Sequence, residues 1–97
     1  MEDRTITKHY FISGRVQGVG FRAFVRRVAS EMKLQGWVRN LNDGRVEALI
    51  HGAESVVEKC TTLLRKGPPH GQVDKLEEGP VVNENLAADF EIRKDGR

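Results

Sequence analysis

Nine consecutive residues, Gly14-Arg15-Val16-Gln17-Gly18-Val19-Gly20-Phe21-Arg22, hold three glycines and two arginines. Glycines let a backbone turn with positive φ, so successive N–H groups can converge on one concavity. An apolar period of about 3.6 begins at Phe21. A helix therefore starts right after the loop and adds its unpaired N–H groups and the positive end of its dipole. Arg22 falls in the first turn of that helix, where a cation is disfavoured by roughly a few tenths of a kcal/mol unless an anion lies between. Its guanidinium can meet such an anion with a two-pronged hydrogen bond. These residue types in this order point to an anion site, and phosphate is the first candidate.

Other chemistries fit less well. Gly18-x-Gly20-x-x-Ala23 loosely matches a dinucleotide-binding fingerprint. A Rossmann unit, however, needs a larger parallel sheet than this chain offers, and Asp43 has a plainer place in a turn. No Gly-Lys-Ser/Thr follows the glycines, which excludes a Walker A loop. His9, His51 and His70 lack metal-like spacing and read as strand or loop residues. Cys60 lies on an apolar helical stripe and reads as a small core residue rather than a nucleophile. Trp37 and the four phenylalanines read as core or loop supports. Arg26 and Arg27 read as solvated helix charges. Asn40 stands before a turn. Its amide can shape a hairpin, or its carbonyl and NH₂ can orient a water.

The elements that must hold these groups follow from periodicity. Residues 6 to 13 alternate, with Ile6, Tyr10 and Ile12 on one parity and His9, Phe11 and Ser13 on the other, which is a strand. The stripe Phe21, Phe24, Val25, Val28, Ala29, Met32 predicts a helix over 21–34 that stops at Gly36. Residues 37–41 form a second strand, Asn42-Asp43-Gly44 a hairpin turn, and 45–51 a third strand broken by Gly52. Val56, Val57, Cys60, Leu63 and Leu64 mark a helix over 53–66, ended by Gly67-Pro68-Pro69. Strands at 73–77 and 89–93 complete the chain, joined by a connector with turn-forming residues. The fold class is α+β: a ferredoxin-like β-α-β-β-α-β sandwich with an added C-terminal strand, two helices on one face of a single sheet. In it the first two strands run parallel, so the glycine loop and Asn40 share one sheet edge.

Composition sets the outer bounds. The 97 residues make one domain, 1–97, with a modest core. A net charge of +2 argues against a surface built to coat nucleic acid or an anionic membrane. One cysteine fits a reducing compartment, and no apolar run approaches membrane-spanning length. A cytoplasmic monomer without nucleic-acid or membrane partners is expected.

At Gly14 to Arg22 the chain closely resembles the first signature of the acylphosphatases. Gly36-Trp37-Val38-Arg39-Asn40-Leu41-Asn42-Asp43-Gly44-Arg45-Val46-Glu47 resembles the second, and Phe90-Glu91-Ile92-Arg93 the last strand of that family. The resemblance implies hydrolysis of the carboxyl–phosphate mixed anhydride of small acyl phosphates. It implies that amides of Arg15, Val16, Gln17, Gly18, Val19, Gly20 and Phe21 hold the phosphoryl oxygens, that Arg22 binds the phosphate, and that Asn40 orients the attacking water. It implies no metal and no organic cofactor. The residues agree with that chemistry. An acyl phosphate has a good leaving group, so a site with neither a general acid nor a carboxylate pair can suffice. The four residues Lys94 to Arg97 run past the point where many members of the family stop, and there a terminal carboxylate can pair near the arginine. Family domains also occur fused in large carbamoyltransferases that mature hydrogenases; a free enzyme is expected here. The competing class is a non-enzymatic ferredoxin-like module that binds a phosphate-bearing ligand or RNA.

Overall fold

The structure, a computed structural model, describes residues 4–81 and 83–96. Its elements are β1 (Thr5–Arg15), α1 (Phe21–Glu31), β2 (Gln35–Asn40), β3 (Val46–Ala53), α2 (Glu54–Lys66), β4 (Gln72–Glu78) and β5 (Glu91–Ile92). They form one five-stranded sheet in the order β4-β1-β3-β2-β5. β1 runs antiparallel to β3 and β4, β2 antiparallel to β3, and the short β5 parallel to β2. This is the expected ferredoxin-like arrangement, and the last strand lies at the opposite edge from β4.

The even parity of β1 faces the helices. Tyr10 and Ile12 join Val38, Val46, Ala48 and Ile50 from the neighbouring strands, all buried. Against them pack Phe21, Val25, Val28 and Ala29 of α1, and Val57, Cys60 and Leu64 of α2. Each large aliphatic side chain so enclosed contributes roughly 1.5–3 kcal/mol. The Tyr10 hydroxyl keeps a partner in the Thr61 hydroxyl at 2.8 Å. Cys60 is fully buried and unpaired, and desolvation pushes its thiol up to about 11.

Two punctuation marks differ from the expected ones. Helix α1 ends at Glu31, and Lys33, with φ 57°, makes the reversal assigned to Gly36. Gly36 belongs to β2 instead. At its φ of 139° a Cβ would sit 1.8 Å from the Leu49 carbonyl oxygen, so only glycine fits there. Nor does Gly52 break β3, which runs on to Ala53. A Cβ at Gly52 would meet the Leu34 side chain at 2.4 Å, so the missing side chain makes room for a core leucine.

The opposite face of the sheet has a polar core of its own. His9, only 5% exposed, offers one ring nitrogen to Glu47 Oε2 at 2.7 Å and the other to the Pro80 carbonyl at 2.6 Å. Glu47 Oε1 accepts from Arg39 Nε at 2.6 Å, across the register pair Arg39–Glu47 of β2 and β3. The Arg39 and Arg93 guanidiniums both lie over the Trp37 ring. Glu84 accepts from the Trp37 ring N–H and pairs with Arg93. His9 is a strand residue, as the sequence suggests, and its ring is also one end of a buried polar chain through Glu47 to Arg39.

Candidate active site

At the end of β1 the strand bulges between Ser13 and Gly14 against β4. Gly14, at φ 127°, comes so close to β4 that a Cβ would lie 2.2 Å from the Gln72 carbonyl oxygen. The chain then turns through Gly18 (φ 75°) and Gly20 (φ 78°) into α1. Nothing lies within 4 Å of a Cβ built at Gly18 or Gly20, so the crest of the loop is open. Among the described residues, no protein acceptor takes the N–H of Gly18, Val19 or Gly20.

Gly20 is the N-cap of α1, with no side-chain cap and no acidic residue in the first turn. Helix α2 obeys the usual dipole preference, with Glu54 in its first turn and Arg65 and Lys66 in its last. Helix α1 does the reverse and sets Arg22 among its first N–H groups. A cation kept at the positive end of a dipole, beside open amides, is the arrangement an anion would stabilise.

Val16, Gly18, Gly20, Phe21 and Arg22 line a cleft of about 260 Å³, and Asn40, Ala23 and Ile92 close it. Asn40 is the last residue of β2 and arrives there because β1 and β2 run parallel. Its Oδ1 is shut away from solvent, and among the described residues it is the one buried side-chain polar atom without a hydrogen-bond partner. Such an atom is costly unless something completes it. Hairpin formation does not explain it, because the turn is closed by other groups. Gly44 N donates to Leu41 O, Leu41 N donates to Arg45 O, and Gly44 supplies the positive φ. Asp43 serves the same turn: its carboxylate accepts from Arg45 N at 3.1 Å and Arg45 Nε at 2.8 Å. The Arg45 backbone N–H, foremost, holds the Asp43 carboxyl below its ordinary value.

Three loop residues point elsewhere. Arg15 is exposed at the end of β1, opposite Gln72. Val19 packs on the core. Gln17 reaches across to the hairpin, where its Nε2 donates to Leu41 O at 2.8 Å and Arg45 O at 2.9 Å. That amide ties the glycine loop to the hairpin turn that follows Asn40. Nothing in the sequence distinguishes this role for Gln17 from a solvated one.

The C-terminal segment also takes part. Arg93 N donates to Val38 O, and Gly96 N donates to Asn40 O at 2.7 Å, so the tail lies along β2. Between them Asp95 Oδ1 accepts from Arg22 Nη1 at 3.1 Å. The sequence leaves open what the four extra residues offer Arg22; a side-chain carboxylate, that of Asp95, is there. The pair is half exposed, so its consequence is direction rather than stability. Nη1 is engaged, and Arg22 still lines the cleft. Among the described residues no three His, Cys, Asp or Glu side chains gather at metal-binding spacing. Among the described residues no helix is long and apolar enough to cross a membrane.

The profile of the acylphosphatase family matches residues 8–92 of this chain. An acylphosphatase of Chloroflexus aurantiacus is 50% identical over 84 residues, which cover 84% of this chain and 91% of that protein. An acylphosphatase of a Synechococcus species is 45% identical over 93 residues, covering 96% and 97%. The solved structure of an acylphosphatase from Coxiella burnetii superimposes with a TM-score of 0.84 at 38% identity, over 92% of this chain and 93% of that one.

Proposed function

The chain belongs to the acylphosphatase family and hydrolyses acyl phosphates, and from that premise we propose how its cleft does so. The phosphoryl group sits over the loop, its oxygens met by the amides between Arg15 and Phe21 and by Arg22. Asn40 orients the attacking water through its side-chain amide. The water oxygen attacks phosphorus, and the bond from phosphorus to the bridging oxygen breaks with its electron pair on the departing carboxylate. The products are a carboxylate and dihydrogen phosphate, which keeps the protons of the water until solvent takes one.

A single observation carries this reading: the buried, unpartnered Oδ1 of Asn40 in the same cleft as the loop and Arg22. A neutral amide is no base at pH 7, but it can fix the direction of a water. Little more is required. Charge spreads over the equatorial oxygens in the transition state, and fixed donors stabilise it without reorganisation. The carboxylate leaves without a proton donor.

Steady-state hydrolysis of benzoyl phosphate, with inorganic phosphate as competitive inhibitor, tests the assignment. Arg22→Ala should cost on the order of a thousandfold in kcat/KM and weaken phosphate inhibition. Asn40→Ala should lower kcat by about a hundredfold or more while phosphate inhibits as before. Loss of phosphate inhibition in Asn40→Ala would contradict the water-orienting role. Chelator should leave turnover within about twofold, since the charge is met by protein donors. The same reading makes the protein a cytoplasmic monomer acting on a diffusible substrate. The lone unpaired thiol supports a reducing compartment, and sedimentation at assay concentration tests the monomer.

A further inference from the structure

A groove of about 650 Å³ adjoins the cleft along the outer side of α1. It shares Gly20 and Ala23 with the cleft, but Asn40 is not among the residues that line it. Its walls are Phe24, Arg26, Arg27, Ser30, Glu31 and Pro68. In-line displacement sets the leaving oxygen on the side of the phosphorus away from the attacking water. With the water at Asn40, the acyl part of the substrate must extend away from Asn40. The groove that meets the cradle at Gly20 and Ala23 is placed to take it.

Its chemistry is specific. Pro68 is buried and Phe24 half-buried, so the floor is apolar. Arg26 and Arg27 are exposed, and neither forms an ion pair among the described residues. Arg27 lies over the Phe24 ring at 5.7 Å, which holds its charge against the floor. Arg26 stands one turn beyond Arg22, roughly 6 Å along the axis. The single acid of the groove, Glu31, closes the helix at the far end. Three arginines stand in the first seven residues of α1 with no acid before Glu31; Arg22 opposes the dipole, and Arg22 and Arg26, four apart, oppose each other. Arg22 has Asp95; among the described residues Arg26 and Arg27 pair with no carboxylate, Glu31 one turn past Arg27 included.

We propose that this groove is the acyl-group subsite, and that Arg26 and Arg27 select acyl phosphates whose acyl part bears a second negative charge. The inference rests on the cleft assignment above and narrows its substrate class. A carboxylate or second phosphate some two to four atoms beyond the carbonyl would reach the pair, while the intervening carbons lie on Phe24 and Pro68.

The test compares benzoyl phosphate with 3-carboxybenzoyl phosphate, whose meta carboxylate cannot cyclise onto the anhydride. The wild-type protein should favour the charged substrate by about tenfold in kcat/KM, and the preference should shrink with added salt. In the double variant Arg26→Gln/Arg27→Gln the ratio of the two kcat/KM values should fall to about one, with circular dichroism confirming the fold. Reading the ratio in both proteins cancels any intrinsic difference in reactivity between the substrates. A wild-type ratio near one, or a ratio that survives the double substitution, overturns the proposal. Failure to hydrolyse either substrate would instead strike at the cleft assignment, so the two failures are distinguishable.

Discussion

Gln17 shows how little of a site resides in the groups that touch substrate. Its amide donates twice, to Leu41 O and Arg45 O, and so sets the distance between the phosphate loop and Asn40. Gln17→Glu keeps the shape but turns a donor into a charge facing two carbonyl oxygens. That should cost roughly 1–3 kcal/mol of stability. It should also lower kcat about tenfold, with phosphate inhibition changed less than about twofold, because the cradle survives while the water drifts. A purely structural role would lower the melting temperature and leave that split unseen. Asp95 offers the complementary case. Asp95→Asn removes the charge that engages Nη1 of Arg22. If that contact orients the guanidinium, KM and the phosphate inhibition constant should rise together by a few-fold. A fall in both would mean that Asp95 competes with substrate for Arg22.

The elements were legible in the sequence, and the exceptions have physical causes. The two apolar stripes, the Asn42-Asp43-Gly44 turn and the alternation in β1 lie within single segments, where local periodicity is the signal. Gly36 and Gly52 were misread because the reason for each is a distant neighbour, the Leu49 carbonyl and the Leu34 side chain. Local rules see glycine as a stop, whereas here it is clearance. Gly36→Ala therefore should not behave as a strand-favouring substitution. It forces a Cβ into backbone at a φ that side chains rarely adopt, and should destabilise by about 3 kcal/mol or more in denaturant titration. The site divides in the same way. Loop, Arg22 and Asn40 were readable because motif and topology place them on one edge. The His9–Glu47–Arg39 chain was half readable, since the hairpin turn fixes the Arg39–Glu47 pairing, but His9 comes from a strand far off in sequence.

At the scale of the whole molecule, β5 and the tail do two jobs. They cover the outer edge of β2, which would otherwise present unpaired backbone groups to other chains. They also bring Asp95 to Arg22 and a donor to the Asn40 carbonyl. A chain ended at Ala88 would lose the buried Phe90 as well. It should lose turnover and associate with itself, which light scattering and the benzoyl phosphate assay would show together. The same sheet gives Cys60 an unplanned use. The thiol is sealed beneath α2 and poorly ionised, so at pH 8 a thiol reagent should reach it only when the molecule opens. Its labelling rate is thus a clock for that opening. Any anion that prefers the closed form must slow the clock in proportion to its occupancy. Phosphate affinity becomes measurable in proteins that no longer turn over, Asn40→Ala first among them.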